Sequence, residues 1–337
     1  MNFDMHSHFI PQEFVEAISK PGSVWQAKLE KKGEEPWIVH DQGYGYPLSP
    51  GFHDTAARLA DMARMKLDVA AVSVSPTLFY YYAKPKLALD LARLTNDAIY
   101  RLTKERPDKF VGMGTLPMQD LDLTITELRR CAEDLGFRAI LIGSNVEGKQ
   151  FDDPQFLRFF KECEALEMFI FFHPYYVGTK EMFDKYYLTN LYGNPLDTAM
   201  VVASLIFGGV LDKCPSLKVG FTHGGGFFPY QIGRLKHGYE VRSEPKVNGA
   251  KSPERYMHQL YFDSIVFVDK QLQFLVDWAG ADHVMLGTDY AFDMGEFAPV
   301  DFVRGAGLAA GQLKAVLADN ACKMFGVPAR AEVSALR

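Results

Sequence analysis

Short apolar runs recur along the chain and alternate with segments of helical periodicity. Eight runs of strand length, most of them β-branched or aromatic and free of internal charge, occupy residues 3–5, 69–74, 110–115, 139–142, 168–172, 217–222, 260–263 and 284–287. Strands that consist of continuous hydrophobic runs are typical of parallel sheets, because both faces of such sheets are buried. The pattern therefore predicts eight buried parallel strands.

Amphipathic segments lie between these runs. Apolar side chains recur at helical spacing in residues 56–66, 87–105, 121–135, 154–166, 195–211 and 270–279, and Asp152 and Asp269 stand where helix N-caps are expected. Strands that alternate with helices predict an α/β protein. Eight near-regular units favour a distorted (β/α)₈ barrel over a doubly wound sheet, which is the alternative fold. We expect one such barrel over residues 1–337.

Two intervals are too long for plain barrel connections. Roughly 60 residues separate the first two predicted strands, and residues 33–50 among them are rich in turn formers. They predict a small insertion over residues 11–53, in the form of a hairpin at the barrel mouth. Residues 173–194 form a second long segment, which we interpret as a lid. It carries Tyr175, Tyr176, Tyr186, Tyr187 and Tyr192. The tail after residue 328 is expected to be peripheral.

Composition places the chain among globular proteins, with 48% hydrophobic and 23% charged residues. The 36 Lys and Arg against 42 Asp and Glu give a net charge of −6 without a basic stripe, so neither nucleic acid nor an anionic membrane is an expected partner. No run approaches the roughly 20 apolar residues of a membrane span, and the first residues do not resemble a signal peptide. Cysteines are few and far apart, so we expect no disulfide framework and a cytoplasmic protein. They are Cys131, Cys163, Cys214 and Cys322.

Histidines and an aspartate collect where the predicted strands end. His6 and His8 follow the first strand, His173 the fifth, His223 the sixth, and Asp289 the eighth. The carboxyl ends of barrel strands form the active face, and residues two apart on a strand share a face. His6 and His8 are therefore able to share one metal. Neutral imidazole and Asp oxygen are ligands that zinc accepts, so the arrangement indicates a metal site.

Each of these residues also has an ordinary interpretation when it is taken alone. A single His-x-His pair is usually accidental, and an isolated histidine such as His173 is more often a hydrogen-bonded core or surface residue. Asp289 is able to cap the following turn, and His-Gly-Gly-Gly at 223–226 is compatible with a tight turn alone. Joint placement at strand ends favours the functional interpretation. The remaining histidines lack such placement: His40, His53, His237, His258 and His283.

Six motifs extend this picture to most of the chain. They are Asp-Met-His-Ser-His-Phe at 4–9, Gly-Met-Gly-Thr-Leu-Pro-Met-Gln at 112–119, His173-Pro174, Leu-Lys-Val-Gly-Phe-Thr-His-Gly-Gly-Gly at 217–226, Gly233-Arg234 and Leu-Gly-Thr-Asp-Tyr at 286–290. With these motifs the chain resembles the amidohydrolase superfamily (amidohydrolase 2), and within it the α-amino-β-carboxymuconate-ε-semialdehyde decarboxylase-like family. The similarity covers roughly residues 2–327.

This resemblance implies a distorted (β/α)₈ barrel with one divalent metal, generally Zn²⁺, with Mn²⁺ as the alternative. It places His6, His8, His173 and Asp289 as ligands and His223 as the base that hydrogen-bonds a water at the open metal position. The implied reaction is loss of CO₂, with His223 or Asp289 returning a proton to carbon. The fourth strand is followed by Ser-Asn and offers no lysine, which disfavours the two-metal branch with a carbamylated lysine.

Positions that contact substrate in the family differ here. Tyr46 stands where the family decarboxylase has an arginine, Tyr175 follows the His-Pro pair where a tryptophan is expected, and Asn190 replaces a second pocket tryptophan. Arg234 is retained, and the resemblance implies that it reaches the partner's site in a homodimer. A tyrosine hydroxyl cannot form the bidentate charged pair that arginine forms. We therefore expect a less cationic pocket, suited to a hydroxylated aromatic carboxylate rather than to the family substrate.

Three functions compete at this stage. The first is a metal-dependent, non-oxidative decarboxylase of an aromatic or dienoic carboxylic acid. The second is a metal-dependent hydrolase or hydratase that acts on a lactone, an amide or an unsaturated acid, because the same water-activating centre serves both classes. The third is a binding or scaffold protein on a barrel that has lost its activity. The presence of all five site residues argues against the third function, and the family resemblance favours the decarboxylase over the hydrolase or hydratase.

Overall fold

The computed structural model describes residues 1–175 and 180–328. Within these ranges the strands are β1 (Phe3–Phe9), β2 (Ala27–Lys32), β3 (Glu35–His40), β4 (Gly45–Pro47), β5 (Val69–Val74), β6 (Phe110–Gly112), β7 (Ala139–Gly143), β8 (Phe169–His173), β9 (Val219–Phe221), β10 (Leu260–Asp263) and β11 (Val284–Met285). Each of the eight apolar runs that predicted strands overlaps one of these strands. The first is longer than predicted, because the polar His6 to His8 continue it into the buried interior.

Eight parallel strands close into a distorted barrel. One sheet has the order β1-β5-β6 and a second the order β11-β10-β9-β8-β7. Isolated parallel bridges join them on both sides, Gly114 to Ile140 and Ser7 to Tyr290. Backbone hydrogen bonds from Leu141 to Gly114 and from Met5 to Leu286, both 2.8 Å, reinforce these junctions. The predicted (β/α)₈ architecture is confirmed, and its distortion lies at the two junctions, where regular pairing is reduced to single bridges.

Helices separate the strands as the periodicity predicts. They are α1 (Gln12–Ile18), α2 (Thr55–Arg64), α3 (Pro85–Glu105), α4 (Leu121–Glu133), α5 (Leu157–Ala165), α6 (Lys180–Phe183), α7 (Asn194–Phe207), α8 (Val210–Lys213), α9 (Phe228–Val241), α10 (Asp269–Ala279), α11 (Pro299–Gly305), α12 (Ala310–Lys314) and α13 (Asn320–Phe325). The helix predicted over 195–211 is interrupted, because Gly209 adopts φ +71° between α7 and α8. None of the described helices has the length and apolarity needed to cross a membrane.

Both predicted N-caps were wrong by one residue. Asp153, not Asp152, accepts a hydrogen bond from the Gln155 N–H (3.0 Å), because Pro154 occupies the first position of the following helical turn. Asp269 is the first residue of α10, and Val268 occupies the cap position. A carboxylate in the first turn still interacts favourably with the helix dipole.

The insertion between the first two barrel strands is an antiparallel sheet. The predicted hairpin is part of a three-stranded meander, β2-β3-β4, that follows α1. Pairing of Ile38 with Tyr46 fixes the position of the tyrosine. The Tyr44 hydroxyl donates to the Thr77 carbonyl at 3.0 Å, which ties the meander to the loop after β5. The assignment of one domain to residues 1–337 stays a prediction.

The long segment after β8 is described in part. From residue 180 onward it contains α6 and a single π-helical turn, Thr189–Gly193, that leads into α7. Tyr186 and Tyr187 are exposed. Tyr176 and the tail at 329–337 lie outside the described residues, so their predicted positions in a lid and at the periphery stay predictions.

Candidate metal centre

Four side chains converge at the carboxyl ends of the barrel strands. His6 and His8 lie on β1, His173 ends β8, and Asp289 lies in the loop after β11. One ligand atom from each lies within 4.8 Å of all the others. The Nε2 atoms of His6 and His8 are 3.0 Å apart. Asp289 Oδ1 is 2.9 Å from His8 Nε2, 3.4 Å from His6 Nε2 and 3.9 Å from His173 Nε2. The structure thus brings together the four ligands predicted from sequence.

The second nitrogen of each imidazole is held by an oxygen that accepts a hydrogen bond. His6 Nδ1 lies 2.7 Å from the Asp263 carboxylate, His8 Nδ1 3.0 Å from the Val74 carbonyl, and His173 Nδ1 2.9 Å from a backbone carbonyl. These oxygens fix the proton on Nδ1 of each neutral ring. The lone pair of each Nε2 therefore points into the cluster, which is the arrangement of metal-binding histidines.

The convergent atoms fit one divalent cation. Two Nε2 acceptors only 3.0 Å apart, on His6 and His8, require a proton or a cation between them. His173 Nε2 is buried and has no hydrogen-bond partner among the described residues, which is costly in a protein interior. Ligand atoms about 2.1 Å from a tetrahedral zinc lie roughly 3.4 Å apart, and Asp289 Oδ1 lies 2.9–3.9 Å from the three Nε2 atoms.

Burial and charge set the protonation of these groups. Burial lowers the pKa of His8, and nearby Asp289 offsets only part of this effect. Burial also lowers the pKa of His173 to about 3. Burial disfavours charge on His6 too, but the hydrogen bond to Asp263 and the nearby carboxylates outweigh it and raise that pKa. Burial would raise the pKa of Asp289, yet its close contacts with the surrounding imidazoles hold it well below its usual range. The lowered pKa values favour neutral His8 and His173 and an ionised Asp289, which are the states that bind metal, whereas His6 has to release a proton when a metal binds.

Asp263 supports the candidate metal centre through hydrogen bonds, a role that the sequence analysis missed. It ends β10, is fully buried, and accepts four hydrogen bonds. One comes from His6 Nδ1 and the others from the backbone N–H groups of His223, Gly224 and Ile265, at 2.8–3.1 Å. The signal was available, because this carboxylate closes a predicted strand at the same barrel end as the four ligands.

A buried Arg58 and Asp4 support β1 beneath the ligands. The Arg58 guanidinium donates hydrogen bonds to Ser7 Oγ (3.1 Å) and to the His8 carbonyl. The Asp4 carboxylate accepts from the His6 N–H at 3.0 Å. Burial lowers the pKa of Arg58 to about 10 and raises that of Asp4 to about 7. These contacts hold the strand where its pairing with β5 shifts register, between Asp4 and Ser7. Sequence analysis missed this role too.

The His-Gly-Gly-Gly segment is a tight turn that also positions an imidazole. His223 adopts φ +54°, and its N–H donates to Asp263. Its Nε2 atom lies 3.3 Å from Asp289 Oδ2. Gly226 has φ +60°, and a Cβ there would stand 2.2 Å from the Pro195 carbonyl oxygen. The turn therefore needs glycine, and it directs the His223 ring toward the carboxylate.

A cavity of about 510 Å³ opens beside this pair. The volume lies in the range of roughly 300–1,000 Å³ that is common for ligand sites. Most of the lining is apolar or aromatic. The described lining residues are Asn190, Leu191, Asn194, Pro195, His223, Gly224, Gly226, Phe227, Pro229, Tyr230, Ile265, Val266, Phe267, Gln271, Phe274, Leu275, Asp289 and Met294.

Of the four predicted substrate-binding residues, one is among the described residues that line this cavity. Asn190 lines the cavity, whereas Tyr46, Tyr175 and Arg234 are not among its described lining. The Tyr46 hydroxyl accepts a hydrogen bond from Thr77 Oγ1 at 2.7 Å. Tyr175 is buried, and Arg234 is exposed on α9. Their binding roles stay predictions.

Comparison with known proteins identifies the family. The profile of the amidohydrolase family (Amidohydro_2) matches residues 3–327. A 2-amino-3-carboxymuconate-6-semialdehyde decarboxylase of Dictyostelium discoideum is 38% identical over 301 residues, which is 89% of this chain and 84% of the relative. The chain therefore belongs to the amidohydrolase family, in the branch related to this decarboxylase, as its motifs predicted.

Two solved structures share the fold. The apo IDCase of Metarhizium anisopliae superposes with a TM-score of 0.84 at 21% identity and covers 98% of both chains. A dihydroxybenzoic acid decarboxylase of Polaromonas sp. JS666, with bound manganese and 2-nitroresorcinol, gives a TM-score of 0.80 at 21% identity and covers 97% of both. These likenesses establish the fold.

Proposed function

We propose that this protein is a metal-dependent, non-oxidative decarboxylase of a hydroxylated aromatic carboxylic acid. The observation that carries the proposal is the convergence of His6, His8, His173 and Asp289, with His223 between this cluster and a mostly apolar cavity. The named decarboxylase activity of the Dictyostelium relative supports the reaction class. The dihydroxybenzoic acid decarboxylase supports a ring substrate.

One divalent cation fits the four ligands, and we propose Zn²⁺, because three imidazole nitrogens and one carboxylate oxygen form a ligand set typical of zinc. Mn²⁺, bound in the Polaromonas structure, is the alternative. When bound, the cation would hold the substrate carboxylate and an adjacent ring oxygen and would stabilise negative charge that develops on them. The four ligands supply one formal negative charge, on Asp289, so the filled site carries a net positive charge for an anionic substrate.

His223 and Asp289 form the pair that we propose as the proton donor. Their Nε2 and Oδ2 atoms are 3.3 Å apart, and both residues line the cavity. During decarboxylation the bond between the ring carbon and the carboxylate breaks, and its electron pair stays on the ring carbon. CO₂ leaves, and the proton shared between His223 Nε2 and Asp289 Oδ2 is transferred to this carbon, where it forms the new C–H bond. The pair regains its proton from solvent.

Release of CO₂ from a panel of hydroxybenzoates, aminobenzoates and muconate semialdehydes tests this function on the metal-loaded protein. We expect His223→Ala to bind metal normally and to release CO₂ roughly 10²–10⁴-fold more slowly, as for loss of an acid–base group. His237→Ala, on an exposed histidine of α9, is the matched control. One bound metal without CO₂ release from any acid would instead favour the hydrolase or hydratase.

The partner and the compartment are separate parts of the proposal. We propose a homodimer in which Arg234 contacts the partner's substrate site, because this exposed arginine lies four residues after the exposed Tyr230 and so on the same face of α9. Tyr46, Tyr175 and Asn190 remain our proposed substrate contacts. The four cysteines are buried free thiols, which supports a reducing compartment such as the cytoplasm. Sedimentation equilibrium of wild type tests the dimer, and a monomer would contradict it.

A further inference from the structure

A buried carboxylate that is not one of the four ligands contacts the segment that carries His173. Asp197 stands in the first turn of α7 and is only 6% exposed. Its Oδ2 atom accepts a hydrogen bond from the Tyr175 N–H at 3.0 Å and another from the Ser144 hydroxyl. Its Oδ1 atom accepts from the Asn145 amide nitrogen at 3.4 Å. All three of these partners are neutral donors.

The hydrogen-bond directions at this carboxylate fit its ionised form. Asn145 Oδ1 accepts from the Gly148 N–H at 3.0 Å, so the amide NH₂ group faces Asp197. The Tyr175 N–H also lies 3.0 Å from Ser144 Oγ, so this oxygen accepts there and its hydrogen points to the carboxylate. Burial raises the pKa of Asp197, and the three hydrogen bonds oppose the rise because they stabilise the anion. The Ser-Asn pair that follows β7, where no lysine stands, thus supports a carboxylate.

One peptide group connects Asp197 to His173. We call the peptide between Pro174 and Tyr175 the linking peptide. Its N–H donates to Asp197 at 3.0 Å, and its carbonyl oxygen accepts from His173 Nδ1 at 2.9 Å. The two ends of a peptide group are conjugated, and hydrogen bonds in a chain polarise one another. The negative charge at the N–H therefore makes the Pro174 carbonyl a stronger acceptor, which favours the His173 proton on Nδ1.

His8 has the same kind of contact without the charge. Its Nδ1 donates to the Val74 carbonyl at 3.0 Å. The N–H of that same peptide, which belongs to Ser75, donates to the neutral Phe9 carbonyl at 3.0 Å. The two imidazoles are thus held by equivalent peptide carbonyls, and the carboxylate beyond the peptide is present only at His173. This difference makes His8 an internal control for an effect of the charge.

We propose that Asp197 is a positioning residue of the metal centre, which acts on His173 through the linking peptide. It holds the imidazole in the tautomer with the proton on Nδ1 and raises the electron density on Nε2. That Nε2 atom is buried and has no hydrogen-bond partner among the described residues, so it is free to bind a cation at the four ligands. The proposal rests on the metal centre of the proposed function and does not depend on which reaction that centre catalyses.

The tautomer of His173 in the metal-free protein is the first measurement. Nitrogen NMR of protein with isotopically labelled histidine distinguishes a protonated ring nitrogen from one with a lone pair, and His173→Ala identifies the signals. We expect the wild-type ring to carry its proton on Nδ1. In Asp197→Asn the shape of the side chain is kept and the charge is lost, so we expect a mixture of both tautomers. The signals of His8 in the same spectrum should not change.

The affinity for Zn²⁺, from competition with a chelator, is the second measurement. We expect Asp197→Asn to bind the metal about tenfold more weakly, at the lower end of the range for residues that support metal ligands, because the charge acts through one peptide. Ser144→Ala is the matched control. It removes a hydrogen bond from the same network but leaves the carboxylate on the Tyr175 N–H. It should therefore keep the affinity of wild type, and urea unfolding checks that both variants are folded.

Failure of this proposal is distinct from failure of the proposed function. If wild type binds no divalent metal, the metal centre is wrong, and the His173 tautomer still tests the role of Asp197. A proton on Nε2 of His173 in wild type would overturn the proposal without any variant, and so would an unchanged tautomer in Asp197→Asn. Equal losses of metal affinity in Asp197→Asn and Ser144→Ala would assign the effect to packing rather than charge and would also overturn it.

Discussion

At the scale of single residues, the chemistry of each imidazole depends on what its other nitrogen contacts. His6 Nδ1 faces the Asp263 carboxylate, and His8 Nδ1 faces the Val74 carbonyl. Each Nδ1 therefore carries the proton, and each Nε2 presents a lone pair. His223 differs, because its Nε2 faces a second carboxylate oxygen of Asp289 and the cavity. The same side chain is therefore suited to ligation at two positions and to proton transfer at the third.

Substitution of Asp263 tests this dependence. In Asp263→Asn one oxygen still accepts backbone N–H groups, but the amide NH₂ has to face His6 Nδ1 or displace those contacts. The His6 proton then moves to Nε2, and a protonated Nε2 has no lone pair with which to bind metal. We expect the affinity for the metal to fall roughly 10–100-fold, measured by competition with a chelator. The control is Asp282→Asn on an exposed aspartate, and equal affinities for the two variants would contradict the role of Asp263.

The convergence of the candidate ligands was predictable from sequence, whereas their supporting contacts were not. His6, His8, His173, His223 and Asp289 follow predicted strands, so their position in the topology alone brings them together. Supporting residues act through contacts with residues distant in sequence, such as Asp263 with His6, 257 positions apart. Such contacts depend on the register of strands on opposite sides of the barrel, which a single sequence does not fix. For the same reason the predicted cavity contacts Tyr46 and Tyr175 lie outside the described cavity lining.

At the scale of elements, strand positions followed from hydrophobic runs, but the connections contain the unexpected features. The turn after β9 places His223 by a run of glycines, and the meander β2-β3-β4 places Tyr46 by antiparallel pairing. Apolar periodicity does not encode positive φ or a close backbone approach. It also did not reveal that the helix predicted over 195–211 is divided at Gly209.

Replacement of glycine in the turn after β9 tests its steric role. Gly226→Ala introduces a Cβ 2.2 Å from the Pro195 oxygen at φ +60°. We expect a loss of more than about 1 kcal/mol in the free energy of unfolding, together with a fall in kcat, because His223 shifts. Gly233→Ala in α9 is the control, since its Cβ meets nothing within 4 Å. Urea unfolding measures both variants, and equal stability would refute the steric role.

The meander supplies a pH-dependent contribution to stability. Its His40 ring stacks on Tyr44, and burial lowers the His40 pKa from 6.5 to about 4. The unfolded chain therefore binds this proton below pH 6.5 while the folded protein does not, so stability falls as the pH drops from 6.5 toward 4. We expect wild type to lose about 2 kcal/mol more than His40→Phe between pH 7 and 5. Urea unfolding measures this loss. His237→Phe should lose as much stability as wild type. If His40→Phe also loses as much as wild type between pH 7 and 5, His40 is not the source of the pH dependence.

At the scale of the whole molecule, the candidate metal centre connects the two sheets of the barrel. His6 and His8 belong to the three-stranded sheet and His173 to the five-stranded sheet, while Asp289 follows β11. Elsewhere along these junctions the described strands meet through single bridges and a few hydrogen bonds. A cation at the four ligands would therefore hold the barrel closed as well as serve catalysis.

Removal of metal should therefore destabilise the fold. A ligand present at 1,000 times its dissociation constant stabilises the native state by about 4 kcal/mol, which corresponds to a rise in Tm of roughly 5–10 °C. Calorimetry of the chelated and the metal-loaded protein measures the difference. His173→Ala should lose most of this dependence on metal. If the chelator leaves the Tm of wild type unchanged, the cation has no structural role.

The most direct test of the central claim follows the reacting carbon. The metal-loaded protein is incubated in D₂O with the best acid from the panel, and the products are observed by NMR while CO₂ is trapped. A decarboxylase that uses His223 and Asp289 produces one CO₂ per product molecule, with one deuterium on the carbon that carried the carboxylate, and His223→Ala lowers both rates together. A product that has gained the elements of water while keeping its carboxylate would contradict the decarboxylase and identify a hydrolase or hydratase.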